Sequence, residues 1–321
     1  MKTDVDSLTL RFDDNHELSA LFGGHDRYLA LIEERLDIEA TPRGNLLGLK
    51  GDRQALKRAR SIFTALQERL DTGHEITLSD VEGAIRMSAK TDHGKSGPLR
   101  LVTRKRTITP RSPMQEEYLR ALKEKTLVFA NGPAGTGKTY LAAVSAVSAL
   151  ERGLVDRIIL SRPAVEAGEQ LGFLPGDMRD KVDPYLRPLY DALYDCMSAA
   201  QVERGIESGQ IEIAPLAFMR GRTLAHAYAI LDEAQNCTPM QMKMFLTRLG
   251  EGSRMVVTGD PSQIDLPGGG KSGLIEATAL LRNLEDTAQI TFTKADVVRH
   301  PLVSAIVEAY DRADAARKTE R

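Results

Sequence analysis

Three short polar segments, each following an apolar run, carry residues suited to phosphate chemistry. The first, "TLVFANGPAGTGKTYLAAV", contains Gly132, Pro133, Ala134, Gly135, Thr136, Gly137, Lys138 and Thr139. This octet fits GxxxxGK[ST], with a strand-like run before it and a helix-forming run after it. Such glycines let backbone N–H groups curl around a β-phosphate, and the N-terminus of the following helix adds a favourable dipole. Lys138 is spaced to reach β- and γ-phosphates, and the Thr139 hydroxyl to bind magnesium. The octet is therefore the expected ATP cradle.

The second segment, "AYAILDEAQ", places Asp232 and Glu233 just past an apolar run, about ninety residues after the loop. One carboxylate there can hold Mg2+ and its neighbour can deprotonate the attacking water, so Asp232 is assigned to metal and Glu233 to the catalytic base. The third, "RMVVTGDPSQIDLP", presents Gln263 as a sensor of the γ-phosphate or the lytic water, with Asp260 free to bond a neighbouring loop. Ahead of the phosphate loop, Gln115 is spaced to read the adenine edge, which would select ATP over GTP. In "FTKADVVRHPLV", Arg299 lies past the last strand candidate, where it could stabilise developing γ-phosphate charge in cis or across a subunit boundary. A second Gly-Lys-Ser, at 270–272, lacks both the first glycine of the motif and a preceding strand, and reads as a loop.

Other basic residues suggest phosphate contacts of a different kind. "SRPAVEAGEQLGFLPGDMRDKVDPYLRPLYDAL" offers Arg162, Arg179, Lys181, Arg187 and the ring of Tyr185, and "FMRGRTL" adds Arg220 and Arg222. RNA contact and subunit contact are the two readings of these segments. The row from Lys90 to Arg111 holds seven cations against one acid, Asp92, and reads as a solvated linker or a nucleic-acid contact.

The elements that must position these residues alternate from residue 113 onward. Strand candidates "TLVFA", "RIILS", "IEIAP", "AYAIL", "RMVVT" and "QITFT" are separated by helical patterns. Several are continuous apolar runs, as in strands covered on both faces. The expectation is an α/β fold: a doubly wound, mainly parallel sheet over 113–321, with its ligand at the carboxyl ends of the strands. Residues 1–75 read as a small α/β unit in the order strand-helix-helix-strand-strand-helix, with a turn at Pro42-Arg43-Gly44. That order resembles a KH module. Its GxxG position holds Gly23, Gly24, His25 and Asp26, and an acid there would repel phosphate. Residues 76–112 read as a helix, capped by Ser79 or Asp80, and the basic linker.

Composition narrows the class. The 321 residues carry a net charge of −2, which excludes a global positive field drawing in nucleic acid. An acidic start without an apolar core, and no long apolar run, argue against secretion and membrane insertion and for a cytoplasmic protein. Cys196 and Cys237 read as buried, inert thiols.

Taken together, "GPAGTGKT", "SRPAVEAGEQLGFLPGD", "KVDPYLRPLYDAL", "RGRTL", "ILDEAQN", "TGDPSQIDLP" and "DVVRHPLV" closely resemble the PhoH-like ATPase family over roughly residues 105–310. The N-terminal unit resembles the KH-like domain of the subgroup often called YbeZ. The resemblance implies a RecA-like core similar to the first domain of superfamily 1 helicases, with ATP hydrolysis and a link to phosphate starvation. It also implies a role in RNA metabolism with an endoribonuclease partner. A single RecA-like core cannot form the usual two-domain cleft, so a homo-oligomer is expected. The rival function is a nucleotide-gated adaptor that recruits a ribonuclease or ribosome-associated partner without moving on RNA. A small-molecule kinase fits poorly, since the Asp-Glu pair and the sensor suit attack by water.

Overall fold

The computed structural model describes residues 6–13, 15–71, 73–89, 99–163 and 178–298, with isolated positions beyond. The described chain falls into two compact units: residues up to 98 together with 110–113, and residues 99–109 together with 114–298.

The first unit has the expected element order. Strand β1 (Asp6–Arg11) leads to helices α1 (Asn15–Phe22) and α2 (Arg27–Leu36), then strands β2 (Glu39–Arg43) and β3 (Leu46–Gly51), then helix α3 (Arg53–Asp71). The sheet is antiparallel in the order β1-β3-β2. Its core gathers Leu47 and Leu49 from the central strand with Ile32, Ile62, Phe63 and Leu66 from the helices. Pro42 lies inside β2 rather than in the turn, which is Gly44-Asn45 with Gly44 at φ 59°. Proline's missing N–H is tolerated because β2 is an edge strand. Helix α4 (Leu78–Ser88) packs on α3 in the same unit. Its cap is Thr77, not Ser79 or Asp80: the Asp80 carboxylate reaches back to accept from the Thr77 N–H at 2.9 Å, completing a capping box. Arg111 pairs with Asp80 at 3.3 Å.

In the second unit the basic run continues into a short hairpin, β4 (Leu101–Val102) and β5 (Thr107–Ile108). Two of its cations are used internally. Lys105 donates to the Tyr194 and Met197 carbonyls at the end of a later helix, and Arg106 pairs with Asp195 at 2.8 Å. Lys90 and Lys95 lie outside the described residues.

Helix α5 (Pro113–Glu124) precedes a six-stranded sheet made of β6 (Leu127–Asn131), β7 (Arg157–Arg162), β8 (Ile211–Pro215), β9 (Ala227–Leu231), β10 (Arg254–Gly259) and β11 (Thr287–Thr291). The order is β11-β6-β10-β9-β7-β8, and every pairing is parallel. All six strands stand where the apolar runs place them, the last starting two residues early. Alternate side chains feed two cores. Val128, Ile158, Ile230 and Val256 face helices α5, α6 (Lys138–Glu151), α7 (Met178–Cys196) and α8 (Ala199–Glu207). Phe129, Ile159, Leu231 and Val257 face α9 (Pro239–Leu246) and α10 (Gly273–Leu280). Burying each such side chain contributes roughly 1.5–3 kcal/mol, so both faces resist sliding of the strand tips. Gly270-Lys271-Ser272 opens α10 and is not a second phosphate loop. Among the described residues no helix is long and apolar enough to cross a membrane.

Candidate active site

Four neighbouring strands, β6, β10, β9 and β7, end on the same side of the sheet because all are parallel. Each delivers one polar segment to a cleft of about 690 Å³, lined by Gly135, Lys138, Thr139, Arg162, Asp232, Glu233, Asp260 and Gln263 among others.

The loop after β6 is held open by its glycines. Gly132, Gly135 and Gly137 have φ of 141°, 82° and 85°. At Gly132 the chain passes so close to Phe292 that an added Cβ would lie 2.5 Å from the Phe292 carbonyl oxygen. The Gly132 N–H donates to the Gly259 carbonyl at 3.0 Å, tying the loop to the tip of β10. Gly132→Ala should therefore cost about 1–3 kcal/mol of stability and weaken nucleotide binding, since strain and crowding act together there. Urea unfolding midpoints and ATP titrations on the same variant check it, and a midpoint equal to the parent would disprove the close approach.

Lys138 opens α6 and folds back on its own loop, donating to the carbonyls of Gly132 at 2.6 Å and Pro133 at 2.9 Å. Burial lowers its pKa, and the charges of Asp260, Asp232 and Glu233 oppose that shift. An ammonium penalised by desolvation and surrounded by carbonyls gains by meeting an anion. The next residue bridges to another strand: Thr139 Oγ1 donates to Asp232 Oδ1 at 2.6 Å, and Thr258 Oγ1 donates to the same oxygen at 2.7 Å. The two residues assigned to metal thus meet across 93 positions of sequence. Among the described residues no cluster of three or more His, Cys, Asp or Glu is placed to hold a metal. A hydroxyl and one carboxylate fit magnesium, which keeps several waters and takes phosphate oxygens as ligands.

Glu233 stands beside this pair with φ 52° and ψ 36°, a left-handed conformation that is uncommon outside glycine. Gln235 Nε2 donates to its Oε2 at 2.6 Å, and Arg162 Nη2 lies 3.5 Å from its Oε1. The other end of Gln235 accepts from the Asp260 N–H at 3.0 Å. Asp260 accepts in turn from Gln263 Nε2 at 2.6 Å and from the Ser262 N–H at 3.0 Å. The Asp260 carboxylate therefore shapes its own turn and aims the exposed Gln263 side chain, while its N–H bonds the neighbouring loop through Gln235.

Several sequence expectations take a different form here. Gln115 is buried, and its amide nitrogen donates to the Thr136 carbonyl at 2.9 Å; it props the phosphate loop from behind and is not among the residues lining the cleft. Arg162 faces Glu233 inside the cleft instead of an RNA surface. Arg222 is engaged by both Glu212 oxygens, at 2.5 and 2.7 Å, which raises its own pKa and lowers that of the carboxyl. Arg187 and Arg220 are exposed. Arg299 lies outside the described residues, as do the side chains of Arg179, Lys181 and Tyr185.

Two contributors escaped the sequence reading. Thr258 is a hydroxyl near the tip of an otherwise apolar strand, and Gln235 sits two positions after Glu233. Both signals are visible in the sequence, but their bonds depend on which strands become neighbours.

Comparison with known proteins gives a family match and several similar chains. Residues 107–311 match the family model described as PhoH-like protein. A PhoH-like protein of Bacillus subtilis is 52% identical over 92% of this chain and 94% of its own. A PhoH-like protein of Synechocystis is 44% identical over 95% of each chain. The protein PhoH of Escherichia coli is 48% identical over 63% of this chain and 58% of its own. The crystal structure of a Pif1 helicase from Candida albicans aligns over 57% of this chain and 39% of that chain, at TM-score 0.31 and 15% identity.

Proposed function

The chain belongs to the PhoH-like protein family, and from that membership and the cleft geometry we propose that it is a magnesium-dependent ATPase acting on or with RNA. The observation that carries this reading is the 2.6 Å bond from Thr139 to Asp232, beside a carboxylate, Glu233, fixed at the mouth of the same cleft. Thr139 and Asp232 would hold Mg2+, which supplies positive charge to the β- and γ-phosphates when bound. Lys138 moves from its own loop carbonyls to the phosphates. Glu233 accepts a proton from water as the water oxygen bonds to the γ-phosphorus and the bond to the bridging oxygen of ADP breaks. Gln263, aimed by Asp260, contacts the γ-phosphate or that water.

RNA is the less direct part of the reading. It is supported by the exposed Arg187 and Arg220 and by the β-α-α-β-β-α order of the first unit, which resembles a KH module. Among the described residues a single six-stranded sheet leaves half of a helicase cleft to be supplied, so a homo-oligomer fits, with Arg299 of one copy serving the next. A cytoplasmic setting and an endoribonuclease partner follow from the same family reading.

The deciding experiment measures phosphate release with and without structured RNA, alongside the mass in solution. Release that RNA accelerates supports an RNA-coupled ATPase. A flat rate favours the nucleotide-gated adaptor, and no release at all removes the ATPase reading. A fully active monomer would remove the shared-site idea.

A further inference from the structure

The sheet of the first unit has two faces of opposite character, fixed by the register of its strands. Leu8 and Leu10 of β1, Leu47 and Leu49 of β3 and Ala40 of β2 pack into the unit's core. Their neighbours along each strand therefore point to the other side. Three cross-strand rows result: Ser7-Lys50-Glu39, Thr9-Gly48-Thr41 and Arg11-Leu46-Arg43. Apart from the half-buried Gly48, every residue in these rows is exposed.

The face is basic in a chain whose net charge is −2: Arg11, Arg43 and Lys50 stand with one acid, Glu39. Strands lie about 4.8 Å apart and rise about 3.3 Å per residue, so the arginines are roughly 10 Å apart across β3 and Lys50 roughly 13 Å along it from Leu46. Arg106, Arg111 and Arg222 are each paired with a carboxylate elsewhere in the chain, whereas no salt bridge among the described residues engages Arg11, Arg43 or Lys50.

Charge, shape and chemistry narrow what lies on this face. Two copies set face to face would bring like charges together, which counts against a second copy. Strand addition at β2 is opposed by Pro42, which has no N–H to offer. A polyanion meets the three cations with neither penalty. The face is flat, with a glycine at its centre, so it cannot enter a duplex groove but can take an extended single strand. The hydroxyls of Ser7, Thr9 and Thr41 lie among the cations as partners for a ribose 2′-OH. Leu46, 38% exposed between the two arginines, offers an apolar seat for a base. On the helical side, the loop from Gly23 to Asp26 instead places an acid where a KH module holds phosphate.

We propose that the exposed face of this sheet, rather than the loop between α1 and α2, binds single-stranded RNA, with Arg11, Arg43 and Lys50 on its phosphates. The inference rests on the reading of the protein as one that acts on or with RNA.

The test follows the anisotropy of a fluorescent single-stranded RNA bound to the full chain across a series of salt concentrations, with DNA of the same sequence and phosphatidylserine vesicles alongside. It compares the parent with Arg11→Ala/Arg43→Ala/Lys50→Ala and with a control, Arg53→Ala/Lys57→Ala/Arg60→Ala, which removes the same charge from the exposed side of α3. Melting curves report that each variant folds. The sheet variant should flatten the slope of log K against log salt by about 2, at roughly 0.7 per phosphate contact, and the control should leave the slope unchanged. Thr9→Val/Thr41→Val should erase a preference for RNA over DNA of about 2- to 10-fold, the worth of one ordinary hydrogen bond. Equal flattening in both triple variants would mean a diffuse field and overturn the proposal. So would DNA bound as tightly as RNA by the parent, or a loss in the sheet variant confined to vesicles, the mark of a membrane surface. If the parent binds no RNA, the RNA reading itself fails and this inference with it. If the parent binds RNA and the sheet variant matches it, only the assignment of the sheet face falls.

Discussion

Glu233→Gln should bind ATP and hold it, with phosphate release cut ~10²–10⁴-fold, the range for a lost general base. The substitution preserves size and keeps one oxygen to accept from Gln235, so the 2.6 Å bond that positions the side chain can persist. What disappears is the charge facing Arg162 and the capacity to take a proton. Because the Thr139–Asp232 pair is untouched, magnesium and nucleotide should still load. Single-turnover phosphate release, with filter binding of labelled ATP on the same sample, separates loading from chemistry. Turnover equal to the parent would move the base to another residue.

Lys138→Ala should raise the Kd for ATP by ~30- to 3,000-fold, since truncating one partner of a buried charged pair costs about 2–5 kcal/mol and each 1.4 kcal/mol is tenfold. The lysine is 9% exposed and bonded only to loop oxygens, so without nucleotide it is a desolvated charge held by neutral acceptors. Its removal should leave the nucleotide-free protein as stable as the parent, which distinguishes lost binding from lost folding. The variant also leaves Arg162 as the sole described cation lining a cleft rich in carboxylates. Calorimetric titration with Mg·ATP and a melting curve without nucleotide check both halves. Tight binding by the alanine variant would undo the assignment of the phosphate loop.

Much of the larger unit was legible because its strands are buried on both faces. "TLVFA", "AYAIL" and "RMVVT" have no polar side to confuse the period, and each ends where a polar motif begins. The phosphate loop and the Asp232-Glu233 pair were legible for the same reason, since local sequence fixes both the residues and the strand tip that carries them. What local reading could not show shares one cause. That Arg162 stands beside Glu233 could not be read locally, because the two become adjacent only once β7 lies beside β9. Gln115 looked available for a base edge because nothing local shows that α5 would bury it under Thr136. Pro42 looked like a turn because its tolerance as a strand residue depends on β2 lying at the edge of its sheet. Local propensity carries none of this information; strand order does.

That Asp232 Oδ1 already accepts from two hydroxyls, those of Thr139 and Thr258, has a consequence for the order of events. A bare magnesium ion approaching the cleft must break a hydrogen bond already made, and finds one carboxylate and one hydroxyl in return. An ion carried in on a triphosphate would bring phosphate and water ligands with it, and Thr139 and Asp232 would add the protein's share. On the ATPase reading proposed above, the site would favour metal and nucleotide arriving as a single cargo.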